Sequence, residues 1–180
     1  MLTYFQNMQP IRKNEYAWYA IYTRSRSEKS VNLELSLTGI ESYLPLRKTI
    51  RKWSDRKKMV EVPLFNSYVF VKVSEKEYLK VLQTFGVTRY ICFEGHAVAI
   101  PEVQINAIRA YLDETEPVPL DDQLKMEAGK NVIVTRGPMT GMIGVLLDIE
   151  GKNRVKVEIE AIGQSLIITI PPQNLEIILQ

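Results

Sequence analysis

The 180-residue chain has one cysteine, Cys92, and one histidine, His96. A lone thiol excludes an internal disulfide and fits a reducing compartment. It reads as an inert buried cysteine, and His96 follows Gly95 in an expected turn. With one residue of each kind there is no metal-ligand cluster, no Cys/His or Ser/His/Asp nucleophile set and no nucleotide fingerprint. No apolar run approaches the roughly 20 residues that span a membrane, and the N-terminus has no apolar signal core. The expectation is a cytoplasmic protein that binds no membrane, metal or cofactor and is not an enzyme.

What is present is an uneven charge. Residues 1–112 hold 17 Lys and Arg against 10 Asp and Glu, a net of +7. Residues 113–180 hold 6 against 11, a net of −5. A basic front and an acidic back point to two modules with different partners. Between them, 113–128 is acidic, contains Pro117 and Pro119, and has neither helical nor strand periodicity, so it reads as an extended linker. The division is then a flexible extension over 1–16, a first domain over 17–112, the linker, and a second domain over 129–180.

The first domain reads as α+β. Trp18–Tyr22 is a short strand. Ser27 as N-cap, Glu28 in the first turn and Gly39 at the end frame a helix, although Val31, Leu33, Leu35 and Leu37 alternate as in a strand. Ser74 with Glu77 forms a capping box for a second helix ending at Gly86. Pro101 opens a third helix with Ile105, Ile108 and Leu112 on one face. Strands fill Leu46–Trp53, Met59–Val62, Ser67–Val73 and Thr88–Phe93, the first two as a long basic hairpin. Helices on an antiparallel sheet result.

The second domain has no convincing helix. Val132–Thr135, Val145–Ile149, Arg154–Glu160 and Gln164–Ile170 are rich in β-branched residues and separated by glycines. Strands this short and regular suggest a small closed barrel. The sharpest signal is Val132-Ile-Val-Thr-Arg-Gly-Pro-Met-Thr-Gly-Met-Ile-Gly-Val-Leu-Leu147. Gly137, Gly141 and Gly144 supply tight or left-handed positions between two strands. Without a following Gly-Lys-Ser/Thr they form no phosphate loop.

That segment, with Arg136, Gly137, Gly141 and Gly144, resembles the KOW motif. Trp18-Tyr-Ala-Ile-Tyr-Thr-Arg24, Pro63-Leu-Phe-Asn-Ser-Tyr-Val-Phe-Val71, Gly86-Val-Thr-Arg-Tyr90 and Pro101 resemble, in order and spacing, the N-terminal (NGN) domain of NusG-type transcription factors. The resemblance implies an NGN-like domain, a linker and an SH3-like KOW barrel. The basic hairpin further resembles the specialised UpxY-type paralogues, relatives of RfaH that act as antiterminators at capsular polysaccharide operons.

The resemblance also implies roles. Pro63, Phe65, Tyr68 and Phe70 match positions that dock on the clamp helices of the largest RNA polymerase subunit. Arg24 matches a basic position at the non-template DNA strand, with Arg26, Lys29 and Arg89 beside it. Arg47, Lys48, Arg51, Lys52, Arg56, Lys57 and Lys58 form a phosphate-binding projection for DNA or nascent RNA, and Trp53 is placed to stack on a base or brace the hairpin. The KOW module would meet a ribosomal protein. The threonine-rich motif that bridges the polymerase cleft in RfaH-like proteins is absent: Tyr78-Leu-Lys-Val-Leu82 stands there. Two alternatives stay open at this point. One is a housekeeping NusG-type elongation and termination factor; the other is a ribosome-associated, RNA-binding KOW protein, which the acidic balance of the second module disfavours.

Overall fold

A computed structural model describes residues 15–52, 57–93, 95–114, 130–137, 139–149, 152–159, 163–170 and 174–178. Residues 1–14 of the expected extension over 1–16, the hairpin tip with Trp53 and Arg56, and nearly all of the linker lie outside them. The chain divides into two compact units. One comprises the chain up to Leu46 with Pro63–Glu102; the other comprises Arg47–Val62 and the chain from Val103 onward.

The first unit is built on β1 (Ala17–Thr23), whose run of aromatic and aliphatic residues favours a pleated, buried strand. It is followed by α1 (Glu28–Leu37), β2 (Glu41–Tyr43), and, after the hairpin of β3 (Leu46–Lys52) and β4 (Lys57–Pro63), by β5 (Tyr68–Val73). Then come α2 (Glu75–Gln83), β6 (Val87–Tyr90), β7 (Cys92–Phe93), β8 (His96–Ala97) and β9 (Ala99–Ile100). The main sheet has the order β2-β5-β1-β6, with β9 also paired to β1. The pairings of β1 with β5, β6 and β9 and of β2 with β5 are antiparallel, as expected.

The β1–β5 register sets Tyr19 beside Val71 and Ile21 beside Val69. These side chains share one sheet face and form the core with Val73, Val31 and Leu35 of α1, and Val81 of α2. Each fully buried aliphatic of this kind contributes about 1.5–3 kcal/mol. Tyr90 closes the core, stacked on Tyr78 at 4.0 Å and edge-on to Tyr19.

The strand-like alternation in α1 resolves as two i,i+4 pairs. Val31 and Leu35 are fully buried, while Leu33 and Leu37 are 61% and 79% exposed. The end signals decide for helix. Ile40 N–H bonds to Leu35 O and Gly39 N–H to Ser36 O, a Schellman ending. Ser27 does occupy the N-cap position, but its side chain makes no capping bond. The α2 capping box is fully formed, with Ser74 N–H donating to Glu77 at 3.0 Å and Ser74 Oγ accepting from Lys76 N–H.

The strand expected over Thr88–Phe93 is two pieces. β6 stays on β1, while β7 turns away to pair with β8 through Gly95. Cys92 is therefore exposed, which corrects the expectation of a buried thiol. β8 also takes His96 out of the expected turn. The short strands β2, β8 and β9 carry no alternation long enough to read.

In the second unit, α3 (Glu102–Glu114) buries Ile105 and Ile108, as their spacing predicts. β10 (Asn131–Val134), β11 (Ile143–Ile149), β12 (Lys152–Ile159), β13 (Gln164–Thr169) and β14 (Leu175–Ile177) form one antiparallel sheet of order β13-β12-β11-β10-β14. β14, three residues long, was not legible in the sequence. Val132, Val134, Met139, Met142, Leu147, Val155 and Ile170 are buried.

Two predictions follow from these local structures. At Gly144, where β11 passes β12, an added Cβ would lie 2.5 Å from Lys156 O and 2.7 Å from Val155 Cγ1. Gly144→Ala should cost about 1–3 kcal/mol through overpacking, seen as a lower urea midpoint. At the α2 cap, the Ser74 and Tyr16 hydroxyls hold the Glu77 carboxyl down from 4.5 to about 2. That stabilisation is complete above pH 4.5 and is lost as pH falls toward 2. Glu77→Gln should flatten the acid limb of a circular-dichroism titration over that window, the two proteins converging at its lower end.

Candidate polymerase and nucleic-acid surfaces

The register that builds the core also builds the opposite sheet face. It pairs Ala20 with Phe70, Tyr22 with Tyr68 and Trp18 with Lys72. Tyr43 on β2 stacks on Phe70 at 6.3 Å, Phe65 meets Phe70 edge-on at 6.2 Å, and Tyr22 meets Tyr68 edge-on at 5.3 Å. Lys72 lies over the Trp18 ring. The face is rich in aromatic rings, and Trp18 and Ala20 on it are each 1% exposed.

Its members are not equivalent. Phe70 is 0% exposed and Phe65 3% exposed, while Tyr68 is half-buried. The expectation that Phe65 and Phe70 display their rings is therefore corrected. Each ring packs on aromatic neighbours, so its area is spent inside the protein, and Tyr68 is the ring of the three with accessible surface. Pro63, the last residue of β4, is half-buried beside Leu64, whose N–H donates to Pro45 O at 2.8 Å.

Where β1 ends, several segments are tied together. Thr23 N–H donates to Ser67 O and Arg24 N–H to Gly86 O, each at 2.8 Å. Ser67 has φ 65°, a left-handed conformation that disfavours a side chain. It is held there by Glu28, only 6% exposed, whose carboxylate accepts the Ser67 N–H at 2.7 Å. The sequence placed Glu28 at a helix start; its grip on a loop 39 residues away was not visible. Gly86 sits against α1: a Cβ there would lie 2.9 Å from Val31 Cγ2, and its φ is +94°.

With its backbone fixed, Arg24 sends an exposed side chain over Phe85, 5.3 Å from the ring centroid. Phe85 is 74% exposed. Arg89 lies 5.6 Å over the Tyr22 ring, and the Thr88 hydroxyl bonds to Tyr22 O. The structure thus brings Arg24 and Arg89 into one basic–aromatic strip with Phe85, Tyr22 and Tyr68. Phe85 is the residue that sequence reasoning missed; its signal was a large apolar side chain in a glycine turn. Arg26, with φ 63°, and Lys29 are exposed beside this strip in sequence.

β3 and β4 pair as a two-stranded ribbon. Lys48, Arg51, Lys57 and Lys58 are exposed, while Arg47 is half-buried. The Lys52 side chain and all of Arg56 lie outside the described residues. In the sheet of the second unit, Gly137 and Gly141 have φ 93° and 84°. Gly141 N–H bonds to Val134 O, and the Thr140 hydroxyl to Gly137 O. Arg136 projects from this turn, exposed.

Among the described residues no group of His, Cys, Asp and Glu could hold a metal ion, and no helix is long and apolar enough to cross a membrane.

Glu28→Ala would leave the buried Ser67 N–H without its acceptor, costing about 1–3 kcal/mol. Denaturation curves should show the loss, and Glu28→Gln, which keeps an acceptor, should recover part of it.

Comparison with known proteins agrees with this architecture. A family model described as "Transcription termination factor nusG" matches residues 16–109, and a KOW motif model matches residues 128–160. The solved structure titled "Domain interaction in Thermotoga maritima NusG" is 25% identical, with a TM-score of 0.55, covering 90% of this chain and 97% of that one. A chain of the MjSpt4:Spt5 complex is 17% identical with a TM-score of 0.29, covering 91% and 97%. No curated protein sequence matches the chain. With the NusG match extending over more than half of its residues, the chain belongs to the NusG family of transcription factors.

Proposed function

We propose that this protein is a specialised NusG-type factor that binds RNA polymerase and reduces pausing and premature termination at particular operons, as UpxY-type antiterminators do. The observation that carries the reading is the join of an NGN-like unit to a KOW module, with an accessible basic–aromatic strip on the first. The protein acts by differential binding: a factor that holds the elongating conformation more tightly than the paused one shifts the population without catalysing anything.

Tyr68, with Tyr22 against it, and Pro63 are the proposed contacts for the clamp helices of the largest polymerase subunit. Phe65 and Phe70 support that surface from beneath. Arg24 and Phe85 are the proposed site for an exposed base of the non-template strand, the guanidinium taking phosphate and the ring stacking. Arg89 and Tyr22 extend the strip. The exposed cations of the ribbon take further phosphates of DNA or nascent RNA. On the KOW module, Ile143, Ile177 and Ile178 are 39%, 48% and 37% exposed, which supports an apolar contact with a second protein; a ribosomal protein is the family precedent.

Single-round transcription by a cognate polymerase, on a template with a pause and a terminator, tests the reading. Wild type should raise readthrough. Tyr68→Ala should lower polymerase affinity about tenfold, the equivalent of about 1.4 kcal/mol, and abolish the effect in a folded protein. Arg24→Ala and Phe85→Ala should leave polymerase binding intact and weaken single-stranded DNA binding by about 1–3 kcal/mol. A wild type that binds polymerase yet increases pausing or termination would establish the housekeeping role instead. One that neither binds polymerase nor alters elongation would remove the proposal.

A further inference from the structure

The β3–β4 ribbon has a feature that its charge does not explain. At its base the Leu64 N–H donates to Pro45 O. Carried up an antiparallel pair residue by residue, this alignment sets Arg47 against Val62, Thr49 against Val60, and Ile50 against Met59. Burial alternates in step over Arg47–Ile50 and Met59–Val62. Arg47, Thr49, Val60 and Val62 are buried or half-buried, whereas Lys48, Ile50, Lys57, Met59 and Glu61 are all exposed.

One face of the ribbon therefore presents Ile50 and Met59 side by side, 43% and 55% exposed, with Lys48 and Lys57 flanking them. In this alignment the pair occupies a non-hydrogen-bonded site, where cross-strand side chains approach most closely. Lysines alone would keep a ribbon edge soluble. Two large apolar side chains at mid-ribbon work against that, and they call for a partner that accepts an apolar wedge between phosphates.

The geometry points to duplex DNA as that partner. Ile50 and Met59 enter the minor groove against a base step, while Lys48 and Lys57 on the same face neutralise the phosphates on either side; Arg51 and Lys58 lie on the opposite face. β-ribbon proteins lay strands in the major or the minor groove, and apolar wedges beside basic residues are how minor-groove binders kink and open a step. Charge complementarity selects the occupant: four exposed cations stand against one exposed carboxylate, Glu61, on the described ribbon. The Ile50–Met59 pair itself offers no aromatic ring on which a single strand would stack. Double-stranded RNA, with a shallow minor groove, accepts no wedge. The inference rests on the nucleic-acid contact of the proposed function and gives that contact its ligand.

The test uses the full chain and a labelled DNA duplex of about 25 base pairs with a central flexible TA step. Its single strand and an RNA duplex of the same sequence serve as competitors. Fluorescence anisotropy over a salt series should show preference for the DNA duplex. Ile50→Thr/Met59→Thr, which keeps good strand formers, should weaken duplex binding roughly fivefold or more without changing the salt slope. Lys48→Gln/Lys57→Gln should instead reduce that slope by about two phosphate contacts, and carries the test if the first variant fails to fold. A 2-aminopurine at the central step should brighten when wild type binds. Wild-type affinity in the threonine variant, an unchanged 2-aminopurine signal, or preference for either competitor would overturn the inference. Polymerase binding, measured separately, should be unaffected by both variants; its absence in wild type would sink the proposed function and not the duplex result.

Discussion

The antiparallel pairing of β1 with β5 is the constraint on which the rest of the first unit depends. Six consecutive residue pairs fix which side chains face α1 and α2 and which form the aromatic surface. A slip of one residue in β5 would bring Tyr68, Phe70 and Lys72 to the core face in place of Val69, Val71 and Val73. The core would then have to take in the Lys72 ammonium, and three buried valines would leave it. The register is guarded at one end by Thr23 N–H on Ser67 O, and Ser67 is itself held by the buried Glu28 carboxylate. A single charged side chain at the start of α1 thus secures the strand pairing and the path of the chain into Arg24.

That arrangement explains which parts of the protein could be read from its sequence. The helices were legible because their ends carry local chemistry: Ser74 with Glu77 at the start of α2, and Gly39 at the end of α1. Val31 and Leu35 looked like half of a strand because Leu33 and Leu37 are apolar without being buried, so hydrophobicity overstated the core-facing set. The basic ribbon was legible from two β-rich runs around a charged turn. The short strands β2, β9 and β14 were not, since each owes its conformation to a longer neighbour. β9, for example, exists because Trp18 and Tyr19 offer their backbone to Ile100 and Ala99.

The candidate site was legible in part for the same reason. Arg24 and Arg89 are far apart in sequence, and a matching motif named them; what joins them is the turn at Gly86, which delivers Phe85 under the Arg24 guanidinium. No local pattern distinguishes Phe85 from a core phenylalanine, because its exposure depends on where α2 ends against α1. Phe70 failed in the opposite direction. Period two puts it on the same face as Tyr68, but its neighbours Tyr43 and Phe65 come from β2 and from the loop before β5, and they close over it.

Exposure also separates what folds the protein from what it can bind. Arg24, Arg89 and the ribbon's Lys48, Arg51, Lys57 and Lys58 are exposed side chains, so neutralising them removes little from the core. Phe65, Phe70 and Glu28 are the reverse: substitutions there alter the support and would lower binding only by disturbing shape. Tyr68 lies between these classes, half-buried, with its ring against Tyr22. Loss of function at Tyr68 therefore has meaning only beside an unfolding curve, whereas loss at Arg24 or Phe85 reports the surface directly. The segregation allows the basic surface to change its nucleic-acid preference while the β1–β5 register, and with it the NusG fold, stays as it is.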